Sequence, residues 1–184
     1  MSHSQIFAGR KLTYKLFSTI LGEHLGAAPP QLVRFVPLFD ADESEKRELF
    51  MPAALRTTLF QNDPKKARQY TANIRAFLGR YVKGEEIDNE DYMKSWKEDV
   101  FELRVQNQRK GERLRIFGAF GRPDTFVAFF RKPRNYFDGK DDPRWDGAIY
   151  RVVDEWNAMF PKCRRVPARP FSNCITSNYY DVHQ

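Results

Sequence analysis

The runs VFELRV (100–105), RLRIFGAF (113–120) and TFVAFF (125–130) decide how this chain is read. Each is short, rich in β-branched and aromatic residues, and bounded by polar or turn-forming residues, as strands are. In the first, Val100, Glu102 and Arg104 fall on one face and Phe101, Leu103 and Val105 on the other. In the second, Leu114, Ile116 and Phe120 share a face, with Arg113 and Arg115 opposite. The polar segment from Gln106 to Glu112 reads as a hairpin loop. Gly121 to Asp124, which contains Pro123, reads as a tight turn. Two hairpins in succession predict an antiparallel meander.

Helical patterns flank the meander. Asp63-Pro64 is a start signal, since the aspartate suits the cap and the proline the first turn. Ala67, Tyr70, Ile74, Phe77, Leu78 and Tyr81 then form an apolar stripe, and Gly84 ends it. Residues 85–99 are acidic and read as a loop with a helical turn; residues 137–147 read as a charged loop. A last helix is predicted from Ala148 to Phe160, with Ile149, Val152, Val153, Trp156 and Phe160 on one side. The expected class is α+β: a small antiparallel sheet flanked by helices over residues 64–160.

Residues 1–63 are expected to form a mostly helical N-terminal extension packed on that unit. Leu12, Leu16, Phe17, Ile20, Leu21 and Leu25 fall on one helical face, and Pro37 would confine LVRFVPLF (32–39) to a sheet edge. Residues 161–184 contain three prolines and no lasting period, and are expected to be a basic, extended tail.

Charge singles out the meander. Between Val100 and Tyr136, nine basic residues stand against three acidic ones, a balance of +6 in a chain whose formal net charge is +7. The basic residues are Arg104, Arg109, Lys110, Arg113, Arg115, Arg122, Arg131, Lys132 and Arg134. Arginine concentrated on successive strands suits phosphate recognition, because the guanidinium fork pairs with oxyanions.

Composition excludes other classes. With 184 residues, 41% apolar content and sixteen phenylalanines, the chain can bury a core. No apolar run approaches the ~20 residues of a spanning helix, so no membrane role is expected. No secretory signal is read at the N-terminus, and a cytoplasmic location is expected. Cys163 and Cys174 read as two ordinary thiols, because neither they nor His183 follow a zinc spacing. The aspartates at 138, 141, 142 and 146 lack the pattern of a calcium loop. No metal and no cofactor are expected. The three histidines lie at positions 3, 24 and 183, so the usual general base is missing from the basic segment.

The order of these elements resembles the RelE-like toxins of bacterial toxin–antitoxin systems. A strand ending in Glu-Leu-Arg, a basic hairpin, a strand with Arg-Ile-Phe, an apolar strand and then Lys/Arg-rich chain before a helix carry the resemblance, over about residues 64–160. It implies a metal-independent endoribonuclease that cleaves mRNA on the ribosome and is neutralised by a cognate antitoxin. Carried over to this chain, the resemblance places Arg115 on the scissile phosphate and makes Lys132 and Arg134 the basic pair after the third strand. It implies a base-stacking or proton-moving tyrosine, for which Tyr136 and Tyr150 are both candidates. Catalytic candidates are therefore Arg115, Lys132, Arg134 and Tyr136. Arg104, Arg109, Lys110, Arg113 and Arg131 are candidates for gripping RNA. Two other classes compete: a non-catalytic module that binds nucleic acid or protein through the same face, and an interaction protein whose charge serves solubility. Glu102 and Glu112, close to the arginines, favour these alternatives.

Overall fold

Residues 32–39, 43–60, 67–88, 90–106 and 113–180 are described in the computed structural model, with side chains described from Tyr70 onward in the helix that starts at Ala67. In chain order the elements are β1 (Leu32–Arg34), β2 (Glu48–Pro52), α1 (Ala53–Phe60), α2 (Ala67–Lys83), β3 (Ile87–Asp88), β4 (Met93–Ser95), β5 (Val100–Gln106), β6 (Arg113–Arg122), β7 (Thr125–Pro133), α3 (Arg144–Met159) and β8 (Tyr179–Tyr180). The class is α+β. Six described strands make one sheet in the order β1-β2-β7-β6-β5-β4.

The expected meander is present: β5 pairs with β6 and β6 with β7, both antiparallel. The turn between β6 and β7 uses Pro123 and Asp124, the latter at φ 61°, in the left-handed region that aspartate tolerates better than most residues. One face of the meander carries Phe101, Leu103, Val105, Leu114, Ile116, Phe120 and Phe126, and these share a core with Ile74, Leu78, Tyr81 and Val82 of α2. The other face carries Phe117 and Phe130, which stack at 5.2 Å, and meets α3 through Trp145 and Trp156. A bulge after Phe117 leaves Phe129 without a partner on β6, so that both Phe129 and Phe130 reach the α3 layer. Gly84, at φ 76°, ends α2 as expected. No described helix is long and apolar enough to cross a membrane.

Several expectations are corrected. The sheet is not small, because short segments join both edges of the meander. β2 pairs parallel to β7, with Glu48 opposite Thr125, and β1 pairs antiparallel to β2. The described part of the expected helical extension is therefore two strands and α1, and the described residues from Leu32 onward form one unit. The driving force is visible in Leu49 and Met51, which alternate inward from β2 and are fully buried. The helix expected over 11–25 lies outside the described residues. The acidic stretch 85–99 contains β3 and β4 as well as a 3-10 turn, because Met93 is buried against the core. The last helix starts at Arg144, not Ala148. Asp142 holds its first turn: its side chain accepts from the Arg144 N–H at 2.8 Å, and its carbonyl accepts from the Trp145 N–H at 3.0 Å. The tail is packed, with Phe171, Cys174 and Ile175 buried in the core and β8 paired to β3.

Arg47 ties the tail to the rest. Its side chain is buried and donates to the carbonyls of Glu85 at 2.8 Å, Ser177 at 2.5 Å and Asn178 at 3.2 Å. Its Nε lies 3.8 Å from an Asp124 carboxylate oxygen. One guanidinium thus joins the end of α2, the β6–β7 turn and the segment before β8.

Gly118 sits where the bulge begins. A Cβ there would stand 2.1 Å from the Val127 carbonyl oxygen and 2.6 Å from the Phe126 ring. Backbone cannot give way as a flexible side chain can, so Gly118→Ala is expected to destabilise the fold by about 2–4 kcal/mol. Urea denaturation measures this; a loss below about 0.5 kcal/mol would mean that the bulge absorbs the methyl group.

Candidate functional site

Residues opposite one another on neighbouring antiparallel strands point to the same face. Arg104 of β5 is opposite Arg115 of β6, and Arg115 is opposite Lys132 of β7. Three cations therefore form a straight row across the sheet. They share a face with Phe117, two residues from Arg115, which lies 6.1 Å from the Trp145 ring, so the row is on the α3 side. The neighbouring row runs Lys94, Glu102, Phe117 and Phe130 across β4 to β7.

The chain then curls beside the row. The 3-10 turn Arg134–Tyr136 follows β7 directly. Arg134 donates to the Phe137 carbonyl at 2.8 Å, and its guanidinium carbon is 5.6 Å from the centre of the Trp145 ring. Phe137 stacks on Trp145 at 3.6 Å, giving this end of the face an aromatic floor. Tyr136 is 38% exposed; Lys132 Nζ lies 4.2 Å and the Arg144 guanidinium carbon 5.3 Å from the centre of its ring. The cations hold the ring through its negative faces.

Glu102 sits among these charges and is fully buried. Its Oε1 accepts from Arg104 Nε at 2.7 Å. Its Oε2 is 3.6 Å from Arg115 Nε, which is ion-pair range but too long for a hydrogen bond. Neither Oε2 nor that Nε has a hydrogen-bond partner among the described residues. Arg115 is only 6% exposed, and its Nη1 donates to the Leu114 carbonyl at 3.3 Å. Arg104 also donates to the Glu90 carbonyl and lies 3.5 Å from the Glu90 carboxylate.

Burial pushes the Glu102 carboxyl above its usual range, against the pull of Arg104, Arg115 and Lys94. Burial pushes Arg115 down to about 10; Glu102 opposes this, while Arg104, Arg134 and Arg113 add to it. Arg115 still carries its charge at neutral pH. It is a buried cation whose Nε has no hydrogen-bond acceptor among the described residues, in the field of other cations, and that is chemistry suited to an oxyanion.

The sequence-predicted residues divide. Arg104, Arg115 and Lys132 are brought together, with Arg134 and Tyr136 beside them. Arg113 lies on the same face two residues before Arg115, and is exposed. Arg131 is opposite Ile116, so it lies on the other face of the sheet. Arg109 and Lys110 lie outside the described residues. Arg122 is at the far end of β6 and pairs with Glu48. Tyr150 packs against Lys97, ahead of β5, with 5.0 Å between the amine and the ring centre. It stands at the opposite end of the meander from Arg104. Lys94 was not among the expected residues, because β4 is too short to show alternation.

Among the described residues no cluster of three His, Cys, Asp or Glu side chains is placed to hold a metal. A groove lined by Phe35, Pro37, Leu38, Ala76 and Gly79 borders α2, and no residue of the row lines it. No known protein family matches the chain, and no curated protein or solved structure does.

Glu102 makes stability depend on pH with a definite sign. A carboxyl whose pKa is raised on folding contributes fully below its unfolded value, about 4.3, and that contribution is lost as pH rises through the folded value. Glu102→Gln keeps the neutral form at every pH. The stability of the wild type relative to this variant should therefore fall as the pH rises above about 4 in urea denaturation. A relative stability that rises with pH instead would mean that the ion pairs with Arg104 and Arg115 outweigh burial.

Proposed function

We propose that the chain is a RelE-like toxin, an endoribonuclease that cleaves mRNA on the ribosome and is held inactive by a cognate antitoxin. The observation that carries this reading is the in-register row Arg104–Arg115–Lys132, with Arg134 and Tyr136 beside it. The order α2–β5–β6–β7–α3, with the basic face toward the last helix, supports a RelE-like scaffold. A ribosomal substrate places the protein in the cytoplasm.

Cleavage by the 2′-hydroxyl needs three things. The hydroxyl must lose a proton, the phosphate must be stabilised as charge builds on its oxygens, and the leaving 5′-oxygen must gain a proton. Arg115 supplies the second, with Arg104 and Arg134 adding positive potential. Lys132 and Tyr136 touch each other and supply candidates for the two proton transfers. Arg113 holds the RNA backbone further along. The ribosome would contribute by fixing the RNA in an in-line geometry.

One observation favours a non-catalytic RNA-binding module on the same scaffold: Glu102 already engages both Arg104 and Arg115. The two readings separate in a reconstituted translation assay. Arg115→Ala is expected to lower ribosome-dependent mRNA cleavage by about 10²–10³-fold, the usual effect of removing one transition-state donor. Lys132→Ala together with Arg134→Ala should reduce the salt dependence of single-stranded RNA binding by roughly 0.7 log unit per charge removed. Wild-type protein that binds RNA but leaves mRNA intact on ribosomes excludes the nuclease and selects the binding module.

A further inference from the structure

We infer that Glu102 is a positioning residue that sets how much of the positive charge of Arg104 and Arg115 an incoming oxyanion meets. The inference rests on reading the row as an anion site, and it assigns that site its own internal competitor.

The argument begins with solvation. A fully buried carboxylate needs several donors, and Glu102 has one good one, Arg104 Nε at 2.7 Å. Its second oxygen is 3.6 Å from Arg115 Nε and makes no hydrogen bond among the described residues. Arg115, 6% exposed, is left with an Nε that no described acceptor satisfies. The pair is therefore held by charge alone and is poorly satisfied on both sides. A phosphate or sulfate oxygen that reached Arg115 would supply the missing acceptor. It would also meet the negative charge of Glu102, 3.6 Å from the Nε of the same guanidinium. Attraction and repulsion thus come from neighbouring groups, and the protonation state of Glu102 sets the balance.

The groups around Glu102 define the test. β4 presents Lys94, β5 presents Arg104, and β6 presents Arg115. Arg113 and Arg134 act on Arg115, Lys132 is opposite it, and Glu90 reaches the cluster through Arg104. α3 meets this part of the sheet through Trp145, which carries no charge. The arginines stay charged from pH 5 to about pH 8. Glu90 is a second carboxylate on Arg104, so the measurement is made in a Glu90→Gln background.

Inorganic sulfate is the probe, because its charge does not change over this range. Its binding is followed by the side-chain ¹⁵N–¹H resonances of Arg104 and Arg115. At about pH 7.5, Glu102→Gln should bind sulfate roughly three- to tenfold more tightly, the effect of removing one nearby negative charge. Lowering the pH should tighten binding to protein that retains Glu102, as its carboxylate takes up a proton, and leave Glu102→Gln unchanged, so that the two converge. If Glu102→Gln does not fold, the pH series on protein with Glu102 carries the test alone, and a flat series overturns the inference. Equal affinities at pH 7.5, weaker binding by the variant, or no sulfate binding by either protein also overturns it. So does loss of mRNA cleavage in Glu102→Gln without a change in sulfate affinity, since that would make the carboxylate a proton acceptor in the reaction. RNA binding is measured separately on the wild type with a single-stranded oligonucleotide. Its absence sinks the RNA reading and leaves the sulfate result to stand or fall by itself.

Discussion

Register is the constraint on which the surface of this protein depends. Arg104, Arg115 and Lys132 converge only because β5, β6 and β7 pair in one alignment. A slip of a single residue would turn every side chain of the slipped strand to the opposite face and bury arginines where Leu103, Leu114 and Ile116 now sit. The alignment is held from several directions. The Pro123–Asp124 turn sets it at one end, and the irregularity after Phe117 absorbs one extra residue of β7. Gly118 allows that irregularity because its backbone lies against the Val127 carbonyl with no side chain between. Packing on both faces makes any other alignment costly.

The charged row sits at the boundary between two environments. On one side is the aromatic layer of Phe117, Phe130, Phe137 and Trp145; on the other is solvent at Arg113 and Tyr136. At such a boundary a charge keeps its strength but loses part of its hydration. Arginine suits this position better than lysine. Its charge is spread over three nitrogens, it is weakly hydrated, and burial that lowers its pKa still leaves it protonated. The chain accordingly uses arginine at the buried centre, Arg115, and lysine at the rim, Lys132. Tyr136, held between Lys132 and Arg144, closes the exposed side.

The parts legible in the sequence are those where a pattern runs long enough to be read. β5 and β6 have seven and ten residues, and their alternation sorts the two faces correctly; in β7 the bulge at Phe129 interrupts it. β1 and β4 have three residues each, too few to show a period. β2 has five, and its partner β7 lies far along the chain, so nothing local marks it as a strand. The start of α3 carries the same Asp-Pro signal as positions 63 and 64, at Asp142 and Pro143, but the surrounding charged loop masks it. Alternation in Arg131–Lys132 already puts these neighbours on opposite faces; grouping them by charge hid this. Glu102 was visible as a possible neutraliser of the arginines, whereas its burial depends on β4 and the aromatic layer, neither of which was read. The tail packs through Phe171, Cys174 and Ile175 without any regular period, which is why it read as extended.

The Arg47 clamp orders events in time. Hairpin contacts between β5, β6 and β7 form between neighbours in the chain and need nothing synthesised later. Glu48, by contrast, meets Thr125 across 77 residues, and Arg47 meets the Ser177 carbonyl across 130. Pairings at such separations close late, because each must first overcome the entropy of a long loop. During synthesis Arg47 therefore lacks the acceptors of its Nη2 until residues 177 and 178 have been made. The meander, and with it the basic face, can assemble while β2 and the tail are still open. A nascent chain would offer its charges to the polyanionic surface of the ribosome making it before its own core has closed.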